Sequence, residues 1–229
     1  MIGSHSRTAT RTTGGGTGAP KTRWNEASSG WNGQYGAASG TFKVGSNTFF
    51  LPINEGSGVR RLQANGLGFV PEDRKEEGLL LNVAIRENIG ISLQAARPGW
   101  RPLATLKSVV SETMERLNVK AASTNAEVGT LSGGNQQKVL LGRYLACDLD
   151  VLIVEEPTRG VDIGAKAEIY RILRDLADSD KAILVLSRET IELIGLCDRL
   201  LIIHAERIVR EMAGSEASEH TILEAALKS

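Results

Sequence analysis

No run of about 18 apolar residues occurs anywhere in this 229-residue chain, so no segment has the length and hydropathy of a membrane-spanning helix. No charged-then-apolar stretch opens it either, and the expectation is a cytoplasmic protein that reaches a membrane only through a partner. Charge of one sign is also missing. Lys and Arg number 27 against 27 Asp and Glu, a formal net charge of +0, so charge points neither to nucleic acid nor to an anionic membrane surface. Cysteine is scarce, with two residues in all. Cys147 and Cys197 sit among apolar neighbours, which reads as small buried side chains in a reducing compartment rather than a disulfide. Aromatic residues make up 4% of the chain, in an otherwise ordinary globular composition of 41% hydrophobic and 24% charged residues.

The acids are absent from one end. Of the 27 Asp and Glu residues only Glu26 and Glu55 precede residue 61, whereas 12 of the 25 glycines do. The first forty residues carry almost no aliphatic periodicity. A stretch so rich in Gly, Ser and Thr cannot offset its ordering entropy by burial, so residues 1–38 read as a low-complexity, disordered segment.

Beyond it the pattern is that of an α/β domain. Residues 39–54 read as a β-hairpin, with Phe42 and Val44 alternating before a Gly-Ser-Asn turn. A helical turn is expected over Arg61–Gly66 and a short strand over Gly68–Val70. A helix should span about 84–93, and Leu106, Val109, Val110, Thr113, Met114 and Leu117 give one apolar face to another at about 105–118. Val139, Leu140, Tyr144 and Leu145 mark a further helix, and Val151–Val154 a strand. Ile169, Ile172, Leu173 and Leu176 mark the next helix, and Ala182–Leu186 a buried strand of the parallel type. A short helix over Ile191–Leu196, strands at Leu200–Ile203 and Ile208–Val209, and a terminal helix at 218–228 complete the series. Strands alternating with helices predict an open sheet.

Two stretches carry chemistry. Leu131-Ser132-Gly133-Gly134-Asn135-Gln136-Gln137 places a Gly-Gly turn at the start of a helix, where bare N–H groups and the helix dipole favour phosphate. Val151–Val154 runs into Glu155-Glu156-Pro157-Thr158-Arg159-Gly160-Val161-Asp162, a buried strand ending in carboxylates that suit a metal ion or an activated water. Together they suggest ATP chemistry.

These residues resemble ATP-binding-cassette (ABC) ATPases. Leu131–Gln137 looks like the family's signature turn, Val151–Glu156 like its Walker B strand with the catalytic glutamate, and Gly160–Asp162 like its D-loop. Pro71-Glu72-Asp73-Arg74-Lys75-Glu76-Glu77-Gly78-Leu79 resembles a segment of the second cassette of bacterial monosaccharide importers, of the ribose, galactose and xylose type. The resemblance covers residues 39–215. It implies a P-loop NTPase-like (RecA-like), mostly parallel sheet, with an inserted α-helical subdomain at about 84–135, the N-terminal β-hairpin and a C-terminal tail at 216–229.

What the family requires divides the chain. Such cassettes work as head-to-tail pairs, with each ATP held between two of them. By resemblance Ser132, Gly133, Gly134, Asn135 and Asp162 are offered to a partner's nucleotide. On the chain's own side Glu156 is the expected catalytic residue, Glu155 stands where Mg²⁺ is usually held by an aspartate, Glu72 replaces the common metal-sensing glutamine, and Arg188 stands at the switch histidine's position. The phosphate loop G-x-x-x-x-G-K-[ST] is the missing part. Its nearest approach, Gly15-Gly16-Thr17-Gly18-Ala19-Pro20-Lys21-Thr22, puts proline, which lacks an N–H, at the second glycine, and reads as linker; a truncation or frame change over residues 1–38 would account for it. The three histidines lie at none of the motif positions.

The resemblance implies an ATP-binding subunit of an ABC importer that couples ATP and Mg²⁺ chemistry at a cassette dimer interface to uptake of a sugar or related solute. It would sit on the cytoplasmic face of the inner membrane, with a second cassette and membrane permease subunits as partners, without inserting directly in the membrane or binding nucleic acid. The alternatives are a catalytically silent or truncated cassette that binds partners, and a soluble ABC ATPase unconnected with transport, against which the Pro71–Leu79 string argues.

Overall fold

A computed structural model describes residues 7–11, 40–44, 47–51, 57–96, 103–204 and 207–227. The apolar run expected at Val151–Val154 forms β5 (Val151–Glu155), flanked by β4 (Leu67–Val70) and β6 (Ala182–Ser187) in parallel register, with Val70 beside Val154 and Val154 beside Val185. Next to β6 lies β1 (Arg7–Arg11), then β7 (Arg199–His204) and the edge strand β8 (Arg207–Ala213). Because β1 is antiparallel to both β6 and β7, β4, β5, β6 and β7 all point one way. The expected parallel sheet is present, crossed by one reversed strand and closed by antiparallel β8.

The strand β1 departs from the expectation that residues 1–38 are disordered; the rest of that segment, including Gly15–Thr22, lies outside the described residues. Arg-Thr-Ala-Thr-Arg has almost no aliphatic content. Its two β-branched threonines suit a pleated backbone, and the facing sides of β6 and β7 offer it partners for both ladders, with Ala9 between Val185 and Leu200.

The strands β5, β6 and β7 are apolar in sequence on both faces, as in sheets packed on both sides, and one face of β6 and β7 is the more deeply buried. Leu152, Val154, Ile183, Val185, Leu200 and Ile202 are buried in the main core. They share it with Ile169, Leu173, Leu176 and Ala177 of α5 (Ile163–Asp178), Leu193 of α6 (Thr190–Leu196) and Ile222 of α7 (Glu219–Leu227). A second cluster joins the hairpin to the sheet. β2 (Gly40–Val44) and β3 (Asn47–Leu51) pair antiparallel, and Val44 and Phe49 pack with Leu62 of α1 (Ser57–Ala64), Leu67 and Val151.

The helical insertion consists of α2 (Ile85–Ala96), α3 (Leu103–Arg116) and the start of α4 (Gly133–Leu145). The stripe read from the sequence is buried at Val110, Thr113 and Leu117. At the root of α2, Asn88 is fully buried because it satisfies a whole turn: its amide donates to the carbonyls of Leu80, Val83 and Ala84 and its oxygen accepts the Leu80 N–H. Both cysteines are buried and unbridged, and burial pushes the Cys197 thiol up to about 12.

Candidate functional site

The signature turn is built by a cap. Ser132 has extended backbone angles and ends the approach to α4, and its Oγ accepts the Asn135 N–H at 3.4 Å and the Asn135 side-chain amide at 2.9 Å. Ser132 itself is exposed. Gly133 and Gly134 occupy the first helical positions, where backbone N–H groups have no partner within the helix. Packing inside this chain also demands both glycines. A Cβ on Gly134 would stand 2.5 Å from the Ala165 Cβ, and one on Gly133 would stand 3.0 Å from Arg74 Nη2 and from the Gly160 carbonyl. Asn135 spends its side chain locally, since its Oδ1 accepts the Lys120 N–H at 2.8 Å.

Asp162 caps the neighbouring helix, with its Oδ1 accepting the Ala165 N–H at 3.0 Å. Gly134 and the N-terminus of α5 are therefore in contact, and a Cβ on Gly134 would stand 3.7 Å from Asp162 Oδ2. Behind it, Lys138 buries its ammonium against Glu168 of α5 and the Asn118 carbonyl. Ile163, the residue after Asp162, is 88% exposed.

A second constellation gathers at the carboxyl end of β5 and β6. Glu156 takes a left-handed backbone with φ of +43°, a conformation uncommon outside glycine and characteristic of strained functional turns. Its N–H donates to the Leu186 carbonyl at 2.8 Å, and its Oε1 accepts the Arg188 N–H at 2.8 Å. The Arg188 guanidinium lies 3.8 Å from the same carboxylate and spans both oxygens of Glu72 at 3.3 and 3.4 Å. Arg159 pairs with Glu72 as well. The structure thus joins Glu72, Glu156 and Arg188. Glu155 is half-buried at the end of β5, and its side chain makes no hydrogen bond or ion pair among the described residues. No cluster of three or more metal-ligating side chains occurs among the described residues.

Three contributors were not legible in the motif reading. Arg159 sits inside the motif but only its pairing reveals a role. Arg74 donates from Nη1 to the Arg159 carbonyl at 2.6 Å and from Nη2 to the Gly160 carbonyl at 3.1 Å, with Nε 3.4 Å from Gln136 Oε1. Glu192, 5% exposed, accepts from the Thr158 hydroxyl at 3.1 Å and from the Ser187 hydroxyl. Burial is the main force raising its pKa, opposed by these two donors and reinforced by nearby Glu189 and Glu156. A glutamate five residues beyond a strand end carries no sequence mark of this role.

A sheet with carboxylates at its strand ends and an inserted helical arm opening on a Gly-Gly turn defines a nucleotide-binding α/β domain of the P-loop NTPase kind. The family model described as ABC transporter matches residues 32–159, more than half of the chain. A putative ribose/galactose/methyl galactoside import ATP-binding protein of Rhizobium meliloti (strain 1021) is 41% identical over 193 residues, covering 82% of this chain and 38% of that protein. The ribose import ATP-binding protein RbsA 2 of Streptomyces avermitilis is 43% identical over 165 residues, covering 71% and 33% respectively. The dimeric post-hydrolysis structure of the cassette MJ0796, bound to ADP and Pi, superposes with a TM-score of 0.61 at 20% identity, covering 71% of this chain and 68% of that one. The chain belongs to the ABC transporter family. It spans less than two-fifths of the length of these curated relatives.

Proposed function

We propose that this chain is the ATP-binding subunit, or part of the subunit, of an ABC importer for a sugar or related small solute. It acts in a head-to-tail pair with a second cassette and drives membrane permease subunits. The observation that carries this reading is the surface made by Ser132, Gly133, Gly134 and Asp162. The exposed Ser132 hydroxyl, the half-buried Gly133 and buried Gly134 at the start of the helix, and the exposed capping carboxylate of Asp162 stand together. Such a surface suits the γ-phosphate of a nucleotide whose phosphate loop belongs to the neighbour.

On the chain's own side Glu155 would hold Mg²⁺, and Glu156 would orient the attacking water as a general base. Mg²⁺ supplies charge neutralisation at the β- and γ-phosphates. Arg188 offers positive charge to phosphate but accepts no proton at neutral pH. The relatives' names support a sugar as the solute, and the exposed Ile163 beside Asp162 supports a covering partner.

A second reading, a silent cassette that binds its partner without turnover in its own pocket, is favoured by the pairing of Arg188 with both Glu72 and Glu156. ATPase assay of the purified chain, alone and mixed with a cassette that has an intact phosphate loop, separates the two. The importer reading expects turnover in the mixture that falls at least tenfold when Ser132 is replaced by Arg. Turnover by the isolated chain that is abolished by Glu156→Gln would instead overturn the silent-cassette reading.

A further inference from the structure

Glu72 and Arg74 are two residues apart, yet they face different sites. Glu72 reaches into the chain's own pocket, where Arg159 and Arg188 hold it. Arg74 reaches the carbonyls of Arg159 and Gly160 and the side chain of Gln136, beside the Gly-Gly turn. Between them, Asp73 Oδ1 accepts the N–H groups of Lys75 at 2.9 Å and Glu76 at 3.1 Å, which fixes the single wide helical turn over Arg74–Gly78. The tripeptide carries an acid at one end and a guanidinium at the other, with the Asp73 cap between them.

The guanidinium serves two structures at once. It satisfies the Arg159 and Gly160 carbonyls, in a loop where Gly160 takes φ of +63°, and it reaches the Gln136 side chain on α4. Gln136 is buried and donates its amide to the Leu131 carbonyl at 3.1 Å, one residue before Ser132. Gly133 fits only because no side chain stands between its backbone and Arg74. Arg159 closes the circuit: its side chain binds Glu72 and its carbonyl binds Arg74.

We propose that Arg74 is a positioning residue that couples the chain's own pocket to the turn it donates, so that a change in the pairing of Glu72 alters the order of Ser132–Gln136. This rests on the reading of that turn as a donated surface. Lysine could not substitute, because a single ammonium lacks the planar fork needed to serve the two carbonyls and Gln136 together.

The test is a double-mutant cycle in the full chain with Glu72→Gln and Arg74→Ala, read by amide hydrogen exchange at Asn135 and Gln136, whose N–H groups bond to Ser132. Arg74→Ala is expected to raise exchange there by roughly tenfold, on the order of what losing one or two such bonds produces. Glu72→Gln is expected to raise it by a smaller factor in the parent chain and to add nothing in the Arg74→Ala background. Arg74→Lys should resemble Arg74→Ala, and exchange in β5 should stay at the parent value in every variant. Additive effects of the two substitutions, or equal acceleration in β5, would overturn the coupling. Turnover in the mixture with a loop-bearing cassette is measured in parallel. If that mixture is inactive with the parent chain while the cycle is non-additive, turn donation falls and the coupling stands.

Discussion

Arg188 donates its backbone N–H to Glu156 Oε1 at 2.8 Å, so it holds that acid through its main chain, while its guanidinium pairs with Glu72 and lies 3.8 Å from Glu156. The two contacts separate by experiment. The Arg188 side chain is 64% exposed, and an ion pair so exposed contributes at most about 1 kcal/mol. Replacing Arg188 with Ala is expected to lower the unfolding free energy read from urea titration by no more than that amount, because the backbone bond to Glu156 survives. A loss of several kcal/mol would show that the guanidinium, rather than the backbone, organises the turn.

Glu192 is the more demanding group. Burial raises its carboxyl above the ordinary glutamate value of 4.5, so the folded chain binds this proton more tightly than the unfolded one. By linkage its contribution to stability is largest below that ordinary value and declines as pH rises from there through the raised folded value. Glu192→Gln removes the titration while keeping the side chain's size. The stability difference between the two proteins is therefore expected to move in favour of the variant as pH is taken upward from 4.5, and urea titrations at a series of pH values check it. A difference that stays constant with pH would show that Glu192 keeps its unfolded-state affinity for the proton.

The motifs were legible because they are local. Gly133 and Gly134 at a helix start and a strand over Val151–Val154 running into Glu155 each follow from adjacent residues, and the sequence placed the strands β4 to β7 to within a few residues of where they lie. The strand β1 was not legible, because Arg7–Arg11 gains its order from ladders to β6 and β7, nearly two hundred residues away in the chain. The same holds for Arg74 and Glu192. Their partners lie 62 to 86 and 5 to 34 residues distant, and no periodicity encodes a guanidinium on two carbonyls. Asn135 shows the reverse case. Its place in the motif marked it for the nucleotide, and its side chain is occupied by Ser132 and Lys120.

The glycines of α4 and α6 make opposed predictions. A methyl group on Gly134 would overlap the Ala165 Cβ at 2.5 Å, so Gly134→Ala is expected to cost about 1–3 kcal/mol by forcing α4 off α5. Gly195, within α6, has nothing within 4 Å of the same position, so Gly195→Ala is expected to stabilise by up to about 1 kcal/mol through helix propensity alone. Chemical denaturation of both variants gives the two signs. If Gly134→Ala were neutral, the contact between the signature turn and the start of α5 would not be a tight one.

Ile163 separates stability from association. At 88% exposure its side chain adds almost nothing to the folded monomer, so Ile163→Lys is expected to change unfolding free energy by less than about 0.5 kcal/mol. It stands next to Asp162 on the surface proposed to meet a neighbouring cassette, where a desolvated lysine would be costly. Sedimentation velocity with ATP and a loop-bearing partner is therefore expected to show at least tenfold weaker pairing, with the monomer's thermal midpoint unchanged. Unaltered pairing would place the neighbour's contact elsewhere than the N-terminus of α5. Equal losses in pairing and thermal midpoint would instead make Ile163 a stability residue in spite of its exposure.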